Sequence, residues 1–102
     1  MKFLFDSQGH HIANEVNGQL YAPNGPNIGH KLAEDSVFID MKGKYLGEIV
    51  QTDRLLYNSQ SPYRTMNYGC MGNFGSIGSF GSPGAIGAIS LPSGFSDVDR
   101  TW

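Results

Sequence analysis

The side chains that could do chemistry are few and scattered. The histidines are His10, His11 and His30. His10 and His11 are neighbours after a turn glycine, so on a strand they point to opposite faces and cannot converge on one ion. His30 shares an alternating polar column with Asn14 and Glu48 and reads as a surface histidine. Asp6, Asp40 and Asn58 recur at the entry of equivalent turns, where an Asx side chain caps its own backbone amides; that role explains them better than acid–base catalysis. Cys70 is the single cysteine, so it forms no internal disulfide and no paired-cysteine metal site. Nothing places a serine on a strained elbow beside a base. The glycine run after residue 69 lacks the Lys-Ser/Thr and the helix of a phosphate loop. These readings predict no catalytic residue, no metal site and no cofactor. What remains is aromatic: Tyr45, Tyr57, Tyr63 and Tyr68 could form a ligand face, although core packing or docking of the tail would also use them.

Those tyrosines sit in a repeat. Aligned on Gly9, Gly25, Gly43 and Ser61, the chain shows four copies at spacings of 16, 18 and 18 residues. Five residues before each anchor stand Leu4, Leu20, Phe38 and Leu56, and four before stand Phe5, Tyr21, Ile39 and Tyr57. Three after stand Ile12, Ile28, Leu46 and, out of pattern, Arg64. Four after come the small residues Ala13, Gly29, Gly47 and Thr65. Each copy reads as strand, tight turn, strand, with turns at Asp6-Ser7-Gln8-Gly9, Pro23-Asn24-Gly25-Pro26, Asp40-Met41-Lys42-Gly43 and Asn58-Ser59-Gln60-Ser61. The second strands alternate, as in Ile12, Asn14, Val16, which predicts one buried and one wet face. The first strands pair two large apolar residues, which predicts cover on both faces. The small column predicts a close backbone approach or a bulge.

The expected fold is therefore all-β: four tandem β-hairpins over residues 1–68, closed into a pseudo-four-fold disc or shallow barrel, since closure removes open sheet edges. The deviant fourth copy reads as a capping repeat. Residues 69–102 form a second region. Glycine recurs at every third position from Gly69 to Gly87, and an apolar or proline residue precedes each later glycine. That rhythm segregates three stripes on a polyproline-II helix, with its three residues per turn. A flexible linker and a collagen-type triple helix are the competing readings. The preferred one is a polyproline-II rod whose apolar stripe, Met71, Phe74, Ile77, Phe80, Ile86, Ile89 and Phe95, docks on the hairpin domain or on sister chains. The glycine stripe would allow close approach.

The hairpin anchors Gly9, Gly25 and Gly43, the segment Lys44-Tyr45-Leu46-Gly47-Glu48, the period-three tail and Trp102 together resemble the bacterial four-fold β-flower family. The resemblance implies a fold and carries no activity or catalytic residues.

Composition trims the partners. The net charge is −2 over 102 residues, and the sequence holds no basic stripe of the kind nucleic acid requires. No apolar run approaches the length of a membrane span, and the first residues are too briefly apolar for a signal-peptide core. The sequence thus predicts a soluble cytoplasmic protein with no nucleic-acid or membrane partner. Its expected role is a non-enzymatic structural or interaction module that self-associates through its tail, as a trimer or higher homo-oligomer, with a protein partner left open. The alternative is a small-ligand or glycan-binding module using the four tyrosines.

Overall fold

The computed structural model describes residues 1–32, 36–69, 72, 75, 83–100 and 102. Eight strands make one sheet: β1 (Lys2–Phe5), β2 (His11–Val16), β3 (Gln19–Tyr21), β4 (Asn27–Lys31), β5 (Val37–Asp40), β6 (Tyr45–Val50), β7 (Arg54–Asn58) and β8 (Phe95–Asp97). Neighbours in sequence pair antiparallel, and β1 also pairs parallel to β7, which closes a seven-stranded barrel with β8 as an extra strand on β7. The molecule is wider than tall, 34 × 34 × 23 Å.

Hairpins β1–β2, β3–β4 and β5–β6 share one construction. Each shifts register at the same place, between Leu4 and Phe5, Leu20 and Tyr21, and Phe38 and Ile39. The extra residue on the second strand is Ile12, Ile28 or Leu46, all of which belong to or pack on the core. A bulge bends and twists a strand, which suits tight closure of a small barrel. The turns follow from local chemistry. Asp6 Oδ1 accepts from the amides of Gln8 and His10, and Asp40 Oδ1 accepts from those of Lys42 and Lys44. The small column serves close approach: a Cβ on Gly29 would lie 2.6 Å from the Ile39 carbonyl oxygen, and one on Gly47 would lie 2.8 Å from that of Leu56.

The fourth position is built differently. Residues 61–68, expected to hold a second strand, hold instead a 3-10 helix at Pro62–Thr65, capped by Ser61 Oγ accepting from Tyr63 N. The strand beside β7 comes from the tail, as β8. The fourth copy is also out of phase with the alignment. Leu55, not Leu56, joins Leu4, Leu20 and Phe38 in the core cluster, so β7 carries one more residue before its turn, and the β7–β8 register runs without a shift. In the first three hairpins the turn-entry amide donates to a second-strand carbonyl (Asp6 N to His10 O, Ala22 N to Pro26 O, Asp40 N to Lys44 O). In the fourth, Asn58 N donates to the Tyr45 hydroxyl at 3.0 Å.

First-strand pairs such as Leu4–Phe5 and Phe38–Ile39 are buried on both faces. The polar column corrects an expectation. Asn14 and His30 are 0% and 1% exposed, and Glu48 is half-buried, so this face is covered rather than wet and His30 is not a surface histidine. Hydrogen bonds offset part of the burial, although the Asn14 amide nitrogen is buried without a partner among the described residues. His11 Nε2 meets Asn14 Oδ1 at 2.6 Å, His30 Nδ1 meets Gln19 Oε1, and Glu48 accepts from the Tyr45 hydroxyl at 3.2 Å.

The seam has two clasps. Phe5 N donates to Asp53 O at 2.8 Å where β1 meets β7. Beside it the buried Arg54 guanidinium donates to Asp6 O (3.0 Å) and Gly87 O (2.5 Å). Toward the turn end, Asp97 on β8 accepts from the amide and the hydroxyl of Ser7, both at 2.8 Å.

The tail crosses the hairpin turns in descending order. Tyr68 N donates to Gly43 O, Asn27 N donates to Gly75 O, and Ile86 N and Ile89 N donate to Gly9 O and Ser7 O, at 2.8 to 2.9 Å. Ser59 N then donates to Gly94 O at the fourth turn. Side chains on Gly9 and Gly43 would collide with this strap, at Ile86 and Gly69. Gly69, Gly72, Gly75 and Gly84 have φ between +73° and +92°, outside the polyproline-II region, and a Cβ on any of them would meet nothing within 4 Å. At these positions glycine supplies left-handed backbone, not close approach. Among the described residues, no helix is long and apolar enough to cross a membrane.

Candidate functional site

A pocket of about 520 Å³ opens at the turn end of the barrel. β4 contributes Asn27 and Ile28, the β5–β6 turn contributes Asp40, Met41, Lys42 and Lys44, and β6 and β7 contribute Tyr45, Leu46 and Tyr57. The tail closes the far wall with Asp99 and Trp102. Two bulge residues, Ile28 and Leu46, therefore line it, and the third, Ile12, holds its wall: Trp102 Nε1 donates to Ile12 O at 2.7 Å. The same bulges that close the barrel shape the pocket.

Tyr45 and Tyr57 form an aromatic pair, with ring centroids 5.1 Å apart and planes inclined by 50°. The Tyr45 hydroxyl accepts from Asn58 N and donates to Glu48 Oε2. Burial raises its pKa from 10.0 to about 12; the nearby Glu48 carboxylate adds to the shift, and the Asn58 bond opposes it. Tyr45 is thus neutral over the physiological range, and its oxygen is committed to the protein. The Asn27 amide is committed as well, donating from Nδ2 to Leu20 O (2.8 Å) and Gly29 O (3.1 Å). Asp40 Oδ1 is held by its turn, so Asp99, Lys42 and Lys44, all exposed, are the mobile-ended polar groups of the rim. On the far wall the Arg100 guanidinium carbon lies 5.9 Å from the Trp102 ring centroid, within cation–π range.

Of the four tyrosines picked out as a ligand face, the fold brings together Tyr45 and Tyr57. Tyr63 lies in the 3-10 helix, and Tyr68 is exposed with its hydroxyl 3.1 Å from Met66 Sδ. Of the tail stripe, Ile86, Ile89 and Phe95 are half-buried, and Met71, Phe74, Ile77, Phe80 and Cys70 lie outside the described residues. Among the described residues, no group of three or more His, Cys, Asp or Glu side chains could hold a metal ion. Sequence reasoning missed Trp102 and Asp99 as pocket residues. Their place depends on a strap that crosses the whole turn end, and no local pattern announces that. No family model, no curated protein and no solved structure matches this chain.

Proposed function

We propose that this protein is a non-enzymatic interaction module that binds a small organic ligand in the turn-end pocket. The supporting observation is the pocket itself: about 520 Å³, within the range of small-molecule sites, with Tyr45, Tyr57 and Trp102 in its lining. The same proposal takes the barrel as a four-fold ring of the β-flower kind, with β7 and β8 as its fourth hairpin. The bulge recurring in three successive hairpins supports that reading.

The one tryptophan of the sequence lines the pocket, so its emission reports on occupancy. A fragment titration should shift Trp102 fluorescence and raise the melting temperature together; ligand at a hundred times its dissociation constant adds about 2.7 kcal/mol. If a chemically broad fragment set moves neither, the binding proposal fails.

A second reading is self-association through the tail, as a trimer or larger assembly. It is favoured by Met66, Tyr68 and Leu91, which are 48%, 41% and 45% exposed, and by Ile86 and Ile89, which the barrel covers only in part. Sedimentation tests it. The full chain should assemble, and a variant with Met66, Tyr68 and Leu91 changed to serine should not; a full chain that sediments as a monomer at high concentration removes this reading.

A further inference from the structure

The pocket's polar groups divide into two sets. Three of those on the inner wall are spent within the protein, and the fourth is the Tyr57 hydroxyl. The Tyr45 hydroxyl serves Asn58 and Glu48, the Trp102 indole N–H serves Ile12, and the Asn27 amide serves Leu20 and Gly29. Ile28 and Leu46 add hydrocarbon. The inner wall therefore offers a ligand mainly aromatic and aliphatic carbon. The rim is different. Lys42, Lys44 and Asp99 are exposed, and Asp40 is half-buried. Among the lining side chains, two lysines and two aspartates balance in formal charge, with the Arg100 guanidinium carbon 5.9 Å from the Trp102 ring centroid beyond them.

This arrangement selects by exclusion. An anionic ligand would meet two carboxylates beside its lysines, and a cationic one would meet two lysines beside its carboxylates; like charges in such proximity oppose binding. A purely apolar ligand would strip water from the rim without replacing its hydrogen bonds. The occupant that fits both sets is neutral, with one apolar face and an edge of groups that both donate and accept. A sugar ring has that form. Its C–H face suits the electron-rich face of an aromatic ring, and its hydroxyls donate to carboxylates and accept from ammonium groups.

We infer that the turn-end pocket is a carbohydrate site for a neutral pyranose, with the sugar's C–H face against Tyr57 and Trp102 and its hydroxyls on Asp40, Asp99, Lys42 and Lys44. This inference rests on the pocket being the functional site. The volume admits one or two sugar residues.

The test titrates the full chain with glucose, galactose, N-acetylglucosamine and their β-linked disaccharides. Glucuronate, glucosamine and adenosine serve as charged and planar comparators. Trp102 emission and the indole N–H resonance of Trp102 are the readouts. At least one neutral sugar should saturate both, and the charged comparators should bind at least tenfold more weakly. Asp99→Asn, at an exposed position outside the strands, should weaken sugar binding about threefold to tenfold, the equivalent of one hydrogen bond, with the melting temperature unchanged. Tyr57→Leu should weaken it further. Saturation by adenosine or a charged comparator, with no response to neutral sugars, overturns the carbohydrate inference and leaves the binding proposal standing. Silence from every probe, and from the fragment set above, overturns both. Sugar binding unaffected by both Asp99→Asn and Tyr57→Leu overturns the placement in this pocket.

Discussion

Hairpins β1–β2, β3–β4 and β5–β6 each find their second strand within a few residues of the first, whereas β7 takes its partner from residues 95–97. The three local hairpins carry a bulge, a turn glycine with positive φ and a main-chain bond at the turn entry. The fourth position lacks the bulge and keeps main-chain bonds from Ser59 N to Gly94 O and from Ser61 N to Asn58 O, and it adds side-chain bonds: Tyr45 at the turn entry, Asp97 on Ser7, and Arg54 on Asp6 and Gly87. Where the second strand follows within a few residues, composition at the turn is sufficient. Where the strand arrives from far along the chain, long polar side chains set the geometry.

The comparison can be broken most severely by ending the chain at residue 93. β7 would lose β8 while keeping β6 and β1, and Val98 would leave the core cluster. The expected outcome is loss of the cooperative thermal transition by circular dichroism; a sharp transition would show that the local hairpins suffice. Next in size is Gly47→Ala. The new Cβ would sit 2.8 Å from both the Leu56 carbonyl oxygen and Val98 Cγ1, at the junction of the local and distant parts, and should cost about 3 kcal/mol in urea denaturation. Asp97→Ala removes both bonds to Ser7, whose side chain is buried, and should cost about 2 kcal/mol.

Tyr45→Phe should cost about 1 kcal/mol at neutral pH and also sharpens the comparison through pH. The folded-state pKa lies above the unfolded value of 10.0, near 12, so the native state holds the phenolic proton more tightly. Its contribution is complete below pH 10 and is lost as pH rises toward 12. Stability of the natural chain should fall across that window, and Tyr45→Phe should flatten the fall. The smallest effect is expected at Arg64, the residue that departs most plainly from the repeat. It is exposed in the 3-10 helix, and Arg64→Ala should stay within about 0.5 kcal/mol. A larger loss would mean that the helix replaces the missing strand energetically.

The first six strands, their turns and the doubly covered first strands were legible because each signal is local: an Asx at the entry of the first and third turns, a glycine three residues after each entry, two adjacent apolar residues before. The departures of Ser61 and Arg64 were legible as well. They mark a stretch that makes a helical turn while another segment takes the strand. The phase of β7 was misread because Leu55 and Leu56 are chemically identical, and only the tertiary register separates them. The polar column of Asn14, His30 and Glu48 looked wet because alternation reports polarity, not cover; the covering groups His11, Gln19 and Tyr45 sit on the same or adjacent strands in ways that pairing alone decides. Of the pocket, Tyr45 and Tyr57 could be named in advance, and Trp102 and Asp99 could not.

The strap that passes the turns in reverse order before joining β7 has a kinetic consequence. During synthesis the three local hairpins leave the ribosome complete, each able to form on its own within microseconds, while β7 waits for some forty further residues. The slow step is a long-range closure, and such steps govern folding rates when contacts span much of the chain. Until it occurs the β7 margin stays available to other chains, so crowding of nascent copies, more than heat, is the stress to which this architecture is most exposed.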